Sequence, residues 1–134
     1  MYLFMEINAM NILEKLTQLE KTAEQFGFKW ENPDQIMDQI KSECFEINEH
    51  VNGQSNDTKE KLQEEIGDLM HAVFSLCVFF QFDATETLTK SVNKFERRLN
   101  AVKSIAHENK ISTLNGYDFD VLMKFWDQAK KRVG

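Results

Sequence analysis

Glu43 and Glu46 stand three residues apart in ECFE, and Glu65 and Asp68 stand three apart in EIGD, so each pair projects from one face of a helix. Gln39 and His50 extend the first stripe. The second runs Lys61, Glu64, Glu65, Asp68 at i, i+3, i+4 and i+7. Each polar stripe borders its helix's own apolar stripe, so packing the apolar faces brings the carboxylates of the two helices towards the seam. Carboxylates at close range repel, and a desolvated pair forces one member to hold a proton. A hard divalent cation relieves this; Mg²⁺ takes oxygen ligands and keeps positions for water and substrate phosphates. The plainer reading is two solvated faces making i,i+4 ion pairs such as Lys61–Glu65. Spacing alone leaves both open.

A third stripe is basic: Lys90, Lys94, Arg97 and Arg98 lie beside the apolar face of a later helix. Arg suits phosphate oxygens through its planar fork and Lys as a point charge, although a solvated basic face would look the same. Two acidic stripes with one basic stripe resemble the equipment for holding a metal–polyphosphate complex. Asp68 and His71 have the i,i+3 spacing of di-iron bundle ligands, but such sites need a Glu-x-x-His pair from each of two helices and only one pair occurs here. Oxygen-only ligands favour Mg²⁺ or Mn²⁺. His71 reads more simply as a helix residue with an ordinary partner, and Trp30 and Trp126 as core aromatics rather than base-stacking platforms. No glycine-rich phosphate loop, nucleophile elbow or CxxC pair is present.

The elements that must position these residues are helical. One proline and five glycines in 134 residues leave few breaks, and the length fits a single domain over 1–134. The spacing predicts a first helix from about Asn8 to Phe26, with Met10, Leu13, Leu16, Leu19, Ala23 and Phe26 inward and Gly27 as its stop. Asn32 caps a second helix opened by Pro33, with Ile36, Ile40, Ile47 and Val51 inward. After the polar stretch VNGQSND, a third helix runs from about Thr58 to Phe80, burying Leu62, Ile66, Leu69, Val73, Leu76 and Phe80. Asp83 and Glu86 form a capping box for a fourth, to about residue 107, whose inward set is Leu88, Val92, Phe95, Leu99 and Val102. Asp118 caps a final helix to about Lys131. Short loops then predict an all-α antiparallel bundle of four to five helices.

The net charge of −6 argues against a nucleic-acid duplex as partner, since duplex binding needs a basic footprint. It leaves room for a small anion bridged by metal. Cys44 and Cys77 fall on apolar helical positions and read as buried hydrophobes in a reducing compartment, the cytoplasm. The opening MYLFMEINAM lacks a basic n-region and a long apolar run, so neither a signal peptide nor a membrane span is expected.

From residue 26 onward the chain resembles a single MazG-type nucleotide pyrophosphohydrolase domain of the all-α NTP pyrophosphatase group. The resemblance rests on ExxE in Glu43-Cys-Phe-Glu46 and ExxD in Glu65-Ile-Gly-Asp68, separated by 18 residues. It continues through LQEEIGDLMHAVFSL, NKFERRL and FWDQAKK, with GFKW upstream. The resemblance implies that Glu43, Glu46, Glu65 and Asp68 ligate Mg²⁺, with Mn²⁺ as a substitute. Lys61, Lys94 and Arg98 would contact the triphosphate, with Arg97 beside them, and Trp126 and Lys130 would close the nucleotide site. Glu64 falls on a functional position, and either it or Glu46 would orient or deprotonate water. The family often has an additional Glu where this chain has Ser42, which bears on metal affinity.

The implied reaction is cleavage of an NTP or dNTP between the α and β phosphates, giving the monophosphate and pyrophosphate. The implied assembly is a homodimer or higher. A narrow dUTPase- or dCTPase-type hydrolase is the nearest rival, and a non-catalytic nucleotide-binding helical regulator is the rival from another class.

Overall fold

The structure is a computed structural model that describes residues 12–53 and 58–134. The expected helix start at Asn8, its Met10, and residues 54–57 of the polar stretch lie outside the described residues. Five helices follow among the described residues, with no strand: α1 Ile12–Phe26, α2 Pro33–Val51, α3 Lys59–Phe79, α4 Ala84–Glu108 and α5 Phe119–Val133. The all-α expectation holds. No single described helix is long and apolar enough to cross a membrane.

Local chemistry sets the boundaries. Asn32 Oδ1 accepts from Gln35 N at 3.1 Å, and Pro33, whose missing N–H costs nothing in the first turn, opens α2. Thr58 Oγ1 accepts from Lys61 N at 3.3 Å, and Asp83 Oδ1 accepts from Glu86 N at 2.8 Å, as the capping box predicts. Asp118 stands before α5 in extended backbone but makes no side-chain cap bond, unlike its expected role. α1 closes where Gly27, at φ +96, lets Phe28 N reach back to Ala23 O at 2.9 Å. At the end of α3, Gln81 takes the same left-handed turn at φ 63 and Phe82 N bonds Cys77 O at 2.9 Å. A side chain in that conformation costs about 1 kcal/mol.

The chain divides into two compact units within α4, one ending at Thr87 and one spanning Leu88–Gly134. In the first, α3 is the shared element: α2 packs along it and α1 touches it. Ile36 is fully buried there, and the other buried positions of α2 and α3 are Glu43, Glu65, Ala72 and Ser75. In the second, Ala101, Ile105 and Ala106 of α4 form a core with Phe125 and Ala129 of α5. Arg132 donates to both carboxylate oxygens of Glu108, at 2.7 and 3.0 Å, which lowers the Glu108 carboxyl below its ordinary range. The pair is solvent-exposed, so water and salt screen it.

Many apolar positions expected inside are not. Ile36 is buried, and Leu13, Leu16, Ile40, Leu62, Leu69 and Leu76 are half-buried. Leu19, Phe26, Val51, Ile66, Val73 and Phe80 are exposed, as are Leu88, Val92, Phe95 and Leu99 of α4. Periodicity marks an apolar face but carries no information on what covers it, and on α3 the smaller Ala72 and Ser75 take the innermost places. Cys44 is exposed rather than buried and Cys77 half-buried, both as free thiols.

Burial predicts an unequal response to truncation. Ile36→Ala should cost about 2–4 kcal/mol, while Phe26→Ala, at a residue 89% exposed, should stay within about 0.5 kcal/mol. Urea unfolding midpoints of the two variants measure the difference.

Candidate active site

The acidic pairs meet where α2 packs on α3. Glu43 and Glu65 are buried, at 8% and 6% exposure, whereas Glu46 and Asp68 are exposed. The four lie close enough that Glu46, Asp68 and Glu65 all act on the charge of Glu43. Its carboxyl is raised above the ordinary glutamate range, first by burial and then by Glu46; a hydrogen bond from Gln39 opposes this, and Asp68 and Glu65 add to it. Gln39 Nε2 donates to Glu43 Oε1 at 2.8 Å, which leaves Glu43 Oε2 buried without a hydrogen bond. Glu65 Oε2 is also buried, 3.0 Å from His50 Nε2, an ion-pair distance without hydrogen-bond alignment.

These features fit a divalent cation. The donors are all carboxylate oxygens, two of them desolvated and lacking a hydrogen-bond donor, and both are acceptors awaiting positive charge. Among the described residues no three His, Cys, Asp or Glu side chains already stand as a set able to hold a metal ion. The carboxylates therefore converge without forming a finished cage, and the exposed Glu46 and Asp68 are the ones with room to turn.

Glu43 and Asp68 also line a cavity of ≈ 1030 Å³ between α1, α2 and α3. Trp30, Phe28 and Phe79 contribute aromatic surface to it. On the α1 side, Glu20 Oε1 accepts from Ser75 Oγ at 2.6 Å and faces His71 Nε2 at 2.9 Å. His71 thus has the ordinary partner expected of it. Lys61 pairs with Glu64 at 3.7 Å rather than with Glu65, which leaves Glu65 to the seam.

The other expected phosphate contacts lie in the second unit. Arg98 places its guanidinium 5.6 Å from the centre of the Trp126 ring, and its Nε donates to Gly134 O at 2.9 Å. Phe95 packs on the same indole with ring centres 6.1 Å apart. Lys130 pairs with Asp127 at 3.4 Å, and Lys94 and Arg97 are exposed. Trp126 is therefore half-buried between a cation and a ring. In the first unit, Trp30 shares a cavity with Glu43 and Asp68.

Sequence reasoning reaches His50 and Gln39 as members of the Glu43 stripe, seven residues after it and four before. It gives no sign of Glu20, whose partners lie 51 and 55 residues further along the chain.

A model of the MazG nucleotide pyrophosphohydrolase domain matches residues 31–103. The chain is 28% identical over 126 residues to the nucleoside triphosphate pyrophosphohydrolase/pyrophosphatase MazG of Thermotoga maritima, covering 93% of this chain and 47% of that protein. It is 28% identical over 120 residues to the nucleoside triphosphate pyrophosphohydrolase of Escherichia coli K12, covering 90% of this chain and 45% of that protein. The chain thus spans about half the length of these curated relatives.

The strained charge of Glu43 makes a stability test. Its ionised form is disfavoured by burial and by three acids, so Glu43→Gln should raise the metal-free thermal midpoint at neutral pH by a few degrees. Gln39 keeps an acceptor in the variant. Millimolar Mg²⁺ should raise the midpoint of the unsubstituted protein and leave that of Glu43→Gln nearly unchanged. Thermal melts followed by circular dichroism, with and without Mg²⁺, read both effects.

Proposed function

The chain belongs to the MazG nucleotide pyrophosphohydrolase domain family, and on that premise we propose that it hydrolyses nucleoside triphosphates between the α and β phosphates, with Mg²⁺ held by Glu43, Glu46, Glu65 and Asp68. The observation that carries the reading is the α2–α3 seam, which buries two carboxylates that each have an oxygen without a hydrogen bond, one of them, Glu43, lining a cavity with room for a nucleotide. A bound Mg²⁺, or Mn²⁺ in its place, supplies charge neutralisation for phosphate oxygens and a more acidic water.

The chain's own residues do the rest. Gln39 holds Glu43 through Oε1 and leaves Oε2 for the metal, and His50 Nε2 lies 3.0 Å from Glu65 Oε2. To Glu64, exposed beside Lys61, or else to Glu46, we assign the orienting or deprotonating of the attacking water. Lys61 contributes positive charge to the triphosphate from the third helix. Lys94, Arg97, Arg98, Trp126 and Lys130 are assigned to the triphosphate and to site closure by the family resemblance, as part of the same proposal. Trp30 offers a stacking face in the cavity that holds Glu43 and Asp68.

We further read the whole chain as one functional domain that works as a homodimer or higher oligomer in the cytoplasm. Leu88, Val92, Phe95 and Leu99 recur at helical spacing and are exposed, an apolar face larger than scattered surface residues account for.

Pyrophosphate release from the common NTPs and dNTPs and from dUTP, in Mg²⁺ and in EDTA, tests the activity. Release should require metal and should match monophosphate formation one for one. Glu65→Ala and Asp68→Ala should each lower kcat/KM by about 100-fold or more while the helical circular dichroism persists. Retained turnover in either variant would refute the ligand assignment.

A further inference from the structure

Resting on that reading, we propose that Glu20 reads the nucleobase and favours bases that present a lone exocyclic amino group. Glu20 is a carboxylate of the cavity that the phosphate chemistry leaves unused. Its side chain is 19% exposed and belongs to α1, which contributes no fully buried residue of its own. α3 holds it in place: Ser75 Oγ donates to Oε1 at 2.6 Å and His71 Nε2 meets the same oxygen at 2.9 Å. An ionised carboxylate only accepts, so His71 Nε2 carries the hydrogen that faces it. Both donors converge on Oε1, and among the described residues Oε2 has no hydrogen-bond partner.

The placement suits a base rather than a phosphate. His71 and Ser75 follow Asp68 by three and seven residues on α3, so Glu20 is anchored roughly 5–10 Å along the helix from a proposed metal ligand. That is the scale of a nucleoside. A carboxylate repels phosphate but accepts from an amino group. Trp30, Phe28 and Phe79 of the same cavity provide the apolar faces that a base stacks upon.

The chemistry of the free oxygen sets the preference. Cytosine and adenine each present an exocyclic NH₂ to a single acceptor, whereas the O4 carbonyl of uracil or thymine would meet the carboxylate lone pair to lone pair. Guanine pairs best with a carboxylate through two oxygens, and here Oε1 is already engaged. A site that offers a buried hydrogen-bonding group rejects the substrate that cannot use it more strongly than shape alone does.

The test is a comparison of kcat/KM for dCTP, dATP, dUTP and dTTP in Mg²⁺, using the full chain and Glu20→Gln. The unsubstituted protein should favour dCTP and dATP over dUTP and dTTP by about 10-fold or more. In Glu20→Gln the amide oxygen still accepts from Ser75 and His71 while the amide NH₂ donates, so the preference should fall to parity or reverse. A purely structural Glu20 would leave the ratio unchanged in a variant that keeps both anchoring bonds. Ser75→Ala, which loosens the anchor but keeps the carboxylate, should weaken the ratio without reversing it. Circular dichroism checks that both variants are folded. Turnover with no amino preference, or a preference indifferent to Glu20→Gln, overturns the role of Glu20 and leaves the hydrolase reading standing. No pyrophosphate from any nucleotide overturns both.

Discussion

Two carboxylates buried on the seam between α2 and α3 are the constraint around which this structure is arranged. Ile36 and Glu43 lie on the inner side of one helix, and Glu65, Ala72 and Ser75 on that of the other. A seam built only for stability would fill those places with larger apolar groups, because an unpaired buried charge costs several kcal/mol. Here the carboxylates are only partly compensated: Gln39 donates to Glu43 Oε1 and leaves Oε2 without a hydrogen bond, and His50 Nε2 lies 3.0 Å from Glu65 Oε2 without hydrogen-bond alignment. The remaining deficit is electrostatic and negative, and it sits beside a cavity.

This arrangement exchanges stability for chemistry, as active sites commonly do. Among its described residues the first unit has little apolar core to offset the cost: α1 has no buried residue, and its described side-chain hydrogen bonds to α3 run through Glu20. The second unit is the opposite case. Its Ala101, Ile105, Ala106, Phe125 and Ala129 form an ordinary apolar core, and its charged residues are exposed or paired at its surface. Exposed apolar rows on α3 and α4 remain, and they account for the mismatch between periodicity and burial.

Much of the architecture was legible from residue types. Helix ends at Asn32, Gly27, Thr58 and Asp83 follow from local capping chemistry that needs no distant partner, and they appear where the sequence predicts them. Asp118 shows the limit of that logic: it stands at the cap position and leaves the cap bond unmade. The acidic stripes were equally legible, since a three-residue step on a helix defines a shared face whatever surrounds it. Their burial was not. Glu43 and Glu46 have the same type and share a stripe, yet one is buried and the other exposed, a difference decided by how α2 is rotated against α3.

By itself the sequence determined the five helices, the ends at Asn32, Gly27 and Asp83, the pairing of Glu43 with Glu46 and of Glu65 with Asp68, and through its motifs the family. All of these depend on interactions within a few residues or on residue identity, which a linear string records. The tertiary structure decided which carboxylates lose their water, that Trp30 shares a cavity with Glu43, and that Glu20 meets His71 and Ser75. Those facts depend on which faces of separate helices touch. The partners of Glu20 lie more than fifty residues away, and no local period encodes a contact at that range.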